Sequence, residues 1–196
     1  MLLSDSIDDN ANTLTYSPME ASMSRLQVEQ IEKDLLDVDC KYLPSSFGPK
    51  DPILDGNCAE SPEQIDWATN GKLAVRRSVA KKGKKQLVTP RPSGIANERV
   101  EQAISDAISG ERHLIASHVA RESSTIKHTV IDAKLHVVLD NGDKVNFDGK
   151  RSAYIIAQTN PTKLDVVKND YPYALVAYDN NDTPVAMLLG LRGDNG

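Results

Sequence analysis

The feature that constrains the fold most is an Asn141-Gly142 pair between two stretches in which every second residue is apolar. These apolar residues are Leu135, Val137, Leu139, Val145 and Phe147. A period of two places alternate side chains on one face of a strand, and Asn-Gly suits a two-residue hairpin turn. The sequence therefore predicts an antiparallel hairpin here, and with it a sheet in the C-terminal half of the chain.

Further strands are predicted on both sides of this hairpin. Residues 125–131 alternate in the same way, and residues 173–178 and 185–191 flank a second turn at Asp179–Asp182. Residues 153–157 are apolar and rich in β-formers, although they also suit a helix. The pattern favours a mainly antiparallel sheet built from hairpins.

One or two helices are predicted before these strands. Apolar residues recur every three or four positions from Ala96 to Ile108, which is typical of a helix with one buried stripe. Gly110 follows where a helix commonly ends. Leu114, Ile115, His118 and Val119 indicate a second, shorter helix. We therefore predict an α+β domain at residues 95–191, with helices first, that starts after Pro90-Arg91-Pro92 and leaves residues 192–196 as a tail.

The front of the chain has a weaker pattern. Residues 1–70 are predicted to be acidic, partly disordered and Pro-containing, with short helices. One helix would be capped by Ser24 and bury apolar residues near one face. These are Leu26, Ile31, Leu35 and Val38. A brief second helix, capped by Ser61, would contain Trp67 and end at Gly71.

Charge is distributed unevenly along the chain. Residues 1–70 carry 14 acidic and 4 basic side chains, whereas residues 71–91 carry 8 basic side chains and no acidic one. Segregated charge of this kind points to polyanionic partners or to attraction within the chain. We interpret residues 71–94 as a basic linker.

The basic linker has several possible roles. Its cations can release counterions from a phosphate backbone, which gives salt-sensitive binding without sequence preference. The predicted nucleic-acid-binding residues are Arg76, Arg77, Lys81, Lys82, Lys84, Lys85 and Arg91. The alternatives are a solvated linker without a partner, an electrostatic clasp to the acidic region 1–70, and a transport signal at Lys81–Lys85.

Two sets of residues are candidates for catalysis. His128 and His136 lie on neighbouring predicted strands, and two histidines can cleave a phosphodiester by acid–base chemistry. Asp132 and Lys134 match an acid–x–Lys element of metal-dependent nucleases, but such sites need a second carboxylate that the sequence does not identify. Core histidines and chance triplets explain both patterns better than catalysis does, so the sequence favours a protein without enzymatic activity.

The late tyrosines are candidates for a partner surface. Tyr171, Tyr173 and Tyr178 surround the last hairpin, and alternation places Tyr173 and Tyr178 on opposite strand faces. Core packing is the simpler interpretation, and contact with a protein partner is the alternative.

Several classes are disfavoured. Cys40 and Cys58 form neither a disulfide framework nor a metal-ligand pattern, and no cofactor-binding motif occurs. No long apolar segment or secretory signal is present, so we expect a cytoplasmic protein that does not cross a membrane.

The resulting hypothesis is a non-enzymatic binding or regulatory protein, such as a viral or mobile-element accessory factor. Its α+β domain would contact a protein partner or itself, and its basic linker would contact nucleic acid or another acidic surface. The alternatives are a small nuclease or ribonuclease and a structural subunit associated with nucleic acid.

Overall fold

The structure is a computed structural model that describes residues 18–38, 66–69, 72–76, 78–79, 97–126, 129–169 and 173–191. The described chain has an α+β fold, with an N-terminal helix followed by a mainly antiparallel sheet and two further helices. The helices are α1 (Pro18–Asp37), α2 (Asn97–Ile108) and α3 (Gly149–Thr159). The strands are β1 (Trp67–Thr69), β2 (Leu73–Arg76), β3 (Glu111–Ile126), β4 (Thr129–Leu139), β5 (Lys144–Asp148), β6 (Lys163–Lys168), β7 (Ala174–Tyr178) and β8 (Pro184–Leu189).

These strands form one sheet in the order β1-β2-β8-β7-β6-β3-β4-β5. Each neighbouring pair is antiparallel. Strands adjacent in sequence are mostly adjacent in the sheet, as hairpins require, while β2–β8 and β3–β6 join distant parts of the chain. The predicted sheet built from hairpins is confirmed.

The inner face of the sheet packs against α1 and α3. Helix α1 buries Val28, Ile31 and Leu35, which are spaced three and four residues apart and therefore share one side. Helix α3 is buried along most of its length, from Ser152 to Ile156. Because both helices cover the same face, the main hydrophobic core lies between them and the sheet.

The opposite, outer face is covered over part of its area by α2. Ile104 of α2 is buried, and Ala107 and Ile108 pack beside it. Their partners on the sheet are Trp67, Ala74, Val167, Ala174, Val176, Tyr178 and Met187. The helix predicted from the apolar stripe at residues 96–108 is confirmed.

Both predicted hairpin turns are confirmed. At the β4–β5 turn Gly142 has φ +87°, a conformation that favours glycine, and the Leu139 N–H donates to Asp143 O at 2.8 Å. At the β7–β8 turn the Asp179 N–H donates to Thr183 O at 3.0 Å, and the Asp179 side chain accepts from the Asn181 and Thr183 N–H groups. Local turn chemistry determines both connections.

The second helix predicted at residues 114–119 is wrong, because these residues form part of β3. A register shift between Ile115 and Ser117 inserts an extra residue into the strand. His113 and Ile115 before the shift, and His118 and Ala120 after it, face the inner side. The inward-facing residues therefore follow one another at intervals of two, three and two positions, and this spacing resembles that of the buried side of a helix.

Four other segments differ from the predictions. The prediction of a second helix near the front of the chain is wrong at its described end, where Trp67–Thr69 is a strand. Leu73–Arg76, which was predicted to belong to a linker, is a buried strand. The alternation at residues 125–131 belongs to two strands, since β3 ends at Ile126 and β4 begins at Thr129. Helix α1 begins at Pro18, before the predicted cap, and its Leu26 is 62% exposed.

Predictions for residues 1–17, 39–65, 80–96 and 192–196, including disorder and a tail, lie outside the described residues. None of the described helices combines the length and the apolar character needed to cross a lipid bilayer.

Candidate functional site

Among the predicted nucleic-acid-binding residues, the structure describes Arg76. Its guanidinium lies 4.7 Å from the ring centroid of Trp67, and its Nε donates to Pro184 O at 2.8 Å. Its Nη1 lies 3.6 Å from Asp66 Oδ2. Arg76 therefore anchors the end of β2 to β1 and β8. The other six, Arg77, Lys81, Lys82, Lys84, Lys85 and Arg91, lie outside the described residues.

The basic segment has both ends attached to the folded domain. It leaves the sheet after β2 and the turn at Val79, and it joins α2 at Asn97.

The candidate catalytic residues are only partly described. His136 Nδ1 lies 2.6 Å from Asn146 Oδ1 across the β4–β5 pair, and Lys134 lies opposite Asp148. Asp132 is in β4, opposite Ser124, but its side chain lies outside the described atoms, as does the whole of His128. No contact between the members of either candidate set is therefore established.

The outward side chains of β3, β4 and β5 form what we term the open face. Leu135, Val137 and Leu139 are buried on the inner side, so the residues that alternate with them in β4 point outward. Directly paired residues on β3 and β5 share that direction. The described side chains of the open face are Leu114, Ser117, Val119, Arg121, Lys134, His136, Val138, Lys144, Asn146 and Asp148.

This open face is in contact with solvent. Leu114 is 56% exposed and Val119 is 46% exposed, which is high for apolar residues within a strand. Arg121 and Lys144 are also exposed. Helix α2 thus packs on the part of the outer face formed by β1, β2 and β6–β8, and the open face on β3–β5 carries apolar, polar and charged side chains of both signs.

A compact cluster of ion pairs lies beside the open face. Arg112 Nη2 donates to Asp165 Oδ2 at 2.7 Å and to Asp182 Oδ1 at 2.9 Å, and the guanidinium lies 4.1 Å from the Tyr178 ring centroid. Lys163 Nζ lies 3.1 Å from Asp165 Oδ2. Two cations and two carboxylates therefore balance each other, and Asp165 is only 1% exposed.

These contacts shift the titration of the cluster. The hydrogen bond to Asp182 and those to Asp165 raise the pKa of Arg112 well above its usual range, although burial opposes the shift. The same hydrogen bond lowers the pKa of Asp182. Both groups stay charged at neutral pH, so the cluster joins β3 and β6 to the β7–β8 turn electrostatically.

The tyrosines lie where alternation predicted, on opposite faces of β7. Tyr178 is 3% exposed beneath Arg112, so in this fold it contributes to packing rather than to an exposed contact. The Tyr173 hydroxyl donates to Asp143 Oδ2 at 2.7 Å, and Lys168 Nζ lies 3.2 Å from the same oxygen. This Tyr173 bond lowers the pKa of Asp143 and fixes the β4–β5 turn against β6 and β7. Tyr171 lies outside the described residues.

Two further histidines have structural contacts that the sequence did not indicate. His118 Nε2 lies 2.9 Å from Asp34 Oδ2 and links β3 to α1. His113 Nδ1 lies 3.1 Å from Asp140 Oδ1 at the β4–β5 turn. Among the described residues, no group of His, Cys, Asp and Glu side chains is arranged to hold a metal ion.

No protein-family model, no curated protein and no solved structure matches this chain.

Neither the ion cluster of Arg112 and Asp165 nor the shared face of Arg121 and Lys144 was predicted. Arg121 and Lys144 stand at polar positions of alternating strands, a signal that marks solvent exposure but not which cations share a surface. The ion cluster gave no sequence signal, because Arg112 is 53 residues from Asp165 and 70 from Asp182.

Proposed function

We propose that this chain is a non-enzymatic binding protein. Its basic segment contacts nucleic acid, and its α+β domain contacts a protein partner or a second copy of the chain. The six cations between Arg77 and Arg91 supply charge for phosphate contacts, which weaken as salt rises.

The observation that carries this proposal is the attachment of the basic segment to the domain at both ends. Arg76 holds the end of β2 through Trp67 and Pro184, and α2 is packed on the sheet. The six cations lie in the chain between these two elements of the domain. Nucleic acid bound there would be held next to the folded surface.

A protein contact has separate support on α1. Leu26 and Leu36 are 62% and 47% exposed on the side of the helix that faces away from the core. Burial of these side chains against a partner or a second copy would be favourable.

Nucleic-acid binding can be tested with random-sequence duplex DNA, single-stranded DNA and RNA in fluorescence anisotropy over a salt series. We expect the variant K81A/K82A/K84A/K85A to bind more weakly. On duplex DNA the slope of log K against log salt should become shallower by up to about 3.6, since each lost phosphate contact removes about 0.9. Binding that is absent at low salt, or unchanged in this variant, would overturn the nucleic-acid part.

Two further measurements test the remaining parts. Sedimentation velocity of wild type and of L26S/L36S should show a concentration-dependent assembly that the variant loses, if the partner is a second copy. Incubation with labelled RNA and DNA, with and without Mg²⁺ or Mn²⁺, should show no cleavage. Cleavage that is absent from a mock preparation would contradict the non-enzymatic proposal and favour the nuclease alternative.

A further inference from the structure

We infer that α1 pairs antiparallel with α1 of a second copy of this chain. The contact surface is what we term the α1 stripe, which consists of Leu26, Glu29, Lys33 and Leu36. This inference rests on the proposed function and deepens it, because it assigns the protein contact to a second copy and to one arrangement of the two helices.

The α1 stripe lies on the side of the helix that faces away from the core. Its four side chains are exposed, and the two leucines, Leu26 and Leu36, are 62% and 47% exposed. At about 100° per residue the four positions fall within about 80° of arc, and the buried residues Val28, Ile31 and Leu35 are centred roughly 150° away. A second molecule can therefore contact the α1 stripe without displacing the sheet.

The spacing of the α1 stripe suits a second helix. Its residues follow one another at intervals of three, four and three positions, which is the spacing of the contact residues in a coiled coil. The two leucines stand at the ends of the stripe, about 15 Å apart along the helix axis. Burial of both leucines against a helix of the same length would be favourable.

The α1 stripe is complementary to itself in the antiparallel direction. When two copies of α1 are related by a two-fold axis at the level of Ile31, Leu26 lies opposite Leu36 of the second copy, and Glu29 lies opposite Lys33 of the second copy. The symmetry repeats each contact, which gives two leucine pairs and two ion pairs. A parallel, in-register pair would place glutamate opposite glutamate and lysine opposite lysine, so the charges favour the antiparallel direction.

Contacts within one chain leave these charges available to a partner. Glu29 accepts a hydrogen bond from Arg25 Nε at 3.3 Å, but both side chains are more than half exposed, and such a pair contributes little. A glutamate and a lysine four residues apart often pair within a helix, yet Glu29 contacts Arg25 instead. Lys33 has no ion-pair partner among the residues that the structure describes.

The size of the α1 stripe sets the strength of the expected contact. About three helical turns make a small interface, so we expect a reversible dimer that forms at high protein concentration. A charged pair within such a contact costs stability but fixes the register and direction of the helices. A second copy fits the stripe better than an unrelated protein does, because one stripe supplies both halves of every contact.

Charge reversal tests this arrangement in sedimentation velocity of the full chain over a concentration series. E29K places two lysines opposite each other at both ion pairs, and K33E places two glutamates there. We expect each single variant to raise the dissociation constant about tenfold at low salt and less at high salt. An equimolar mixture of E29K and K33E should assemble like wild type, as should the double variant E29K/K33E, because each restores two attractive pairs. This recovery also shows that the single variants fold.

The matched controls are E98K and R99E, which reverse exposed charges on α2 and should sediment like wild type. A shift in the controls as large as in E29K and K33E would assign the effect to net charge and overturn the inference. Wild type that stays monomeric would also overturn it, as would assembly that L26S/L36S abolishes but E29K and K33E leave unchanged. In each case the proposed function stands if the four-lysine variant loses nucleic-acid binding. Both fail if wild type neither assembles nor binds nucleic acid.

Discussion

Arg112 donates two hydrogen bonds to one oxygen of Asp165, while the other oxygen of this buried carboxylate has no hydrogen-bond partner among the described residues. The Oδ2 atom accepts from Nε at 3.0 Å and from Nη2 at 2.7 Å, and Lys163 adds a third contact. Two cations thus contact Asp165 through the same carboxylate oxygen. The cluster joins β3, β6 and the β7–β8 turn, so loss of the cluster should lower the free energy of unfolding.

Loss of Arg112 should therefore destabilise the domain. Breaking a buried pair costs about 3–5 kcal/mol, but the Arg112 side chain is 34% exposed and Lys163 remains, so we expect about 2–3 kcal/mol for Arg112→Met. Urea denaturation measures this change. Arg99→Met, an exposed position on α2, should change the unfolding free energy by less than about 0.5 kcal/mol. Equal effects at both positions would show that the cluster contributes nothing.

The direct pairing of the two cations Arg121 and Lys134 should lower the free energy of unfolding. Replacing Arg121 by threonine removes the repulsion and adds a residue that favours strands, so we expect an increase of about 0.2–1 kcal/mol in the unfolding free energy. Urea denaturation at low and at high salt tests this, because screening should reduce the gain. A loss of stability at low salt would show that Arg121 makes a favourable contact in the free protein.

Stability should fall in acid through Asp182. Its hydrogen bond with Arg112 lowers the pKa below the ordinary value of 3.8, so the unfolded chain binds a proton more readily than the folded one. The stabilisation is complete above 3.8 and is lost as the pH falls through the lowered pKa. Urea midpoints measured from neutral pH into acid should decline less steeply for Asp182→Asn, which should also be less stable at neutral pH. Identical acid slopes would rule out this contribution.

Two glycines should respond differently to substitution. A Cβ on Gly110 would lie 2.2 Å from the Lys168 carbonyl oxygen, so Gly110→Ala should cost about 1–3 kcal/mol through displacement of backbone. Gly142 has open space but a positive φ, so Gly142→Ala should cost about 1–2 kcal/mol and Gly142→Asn less. Thermal unfolding of the four single variants, including Gly110→Asn, distinguishes the causes. Recovery by asparagine at position 110 would contradict the steric explanation.

Sequence patterns predicted the conformation correctly in short segments whose conformation depends on residues close together in the chain. The Asn141-Gly142 turn, the Asp179–Asp182 turn and the apolar stripe of α2 all depend on residues within one turn or a few helical turns. Their conformations follow from φ preferences, side-chain-to-backbone hydrogen bonds and periodicity. The α+β class with hairpins followed from these signals alone.

A glycine is needed at position 110, but for a different reason from the one that the sequence suggested. The sequence suggested a glycine that ends a helix in the left-handed region. In the structure Gly110 is not among the residues with positive φ, and its lack of a side chain allows the close approach of Lys168. The contact depends on β6, which lies more than fifty residues later in the chain.

Helix α2, the two hairpin turns and the alternation of β4 and β5 could be predicted from the sequence, because each depends on residues close together in the chain. The tertiary structure decided the rest. An extra residue near Ala116 gives strand β3 a spacing of buried residues that resembles the spacing in a helix. Pairing with β8 makes Leu73–Arg76 a strand within the segment predicted to be a linker. Pairing of β3 with β4 and of β4 with β5 placed Arg121, Lys134 and Lys144 on one surface. Strand register and long-range pairing bring distant residues together, and no local pattern encodes them.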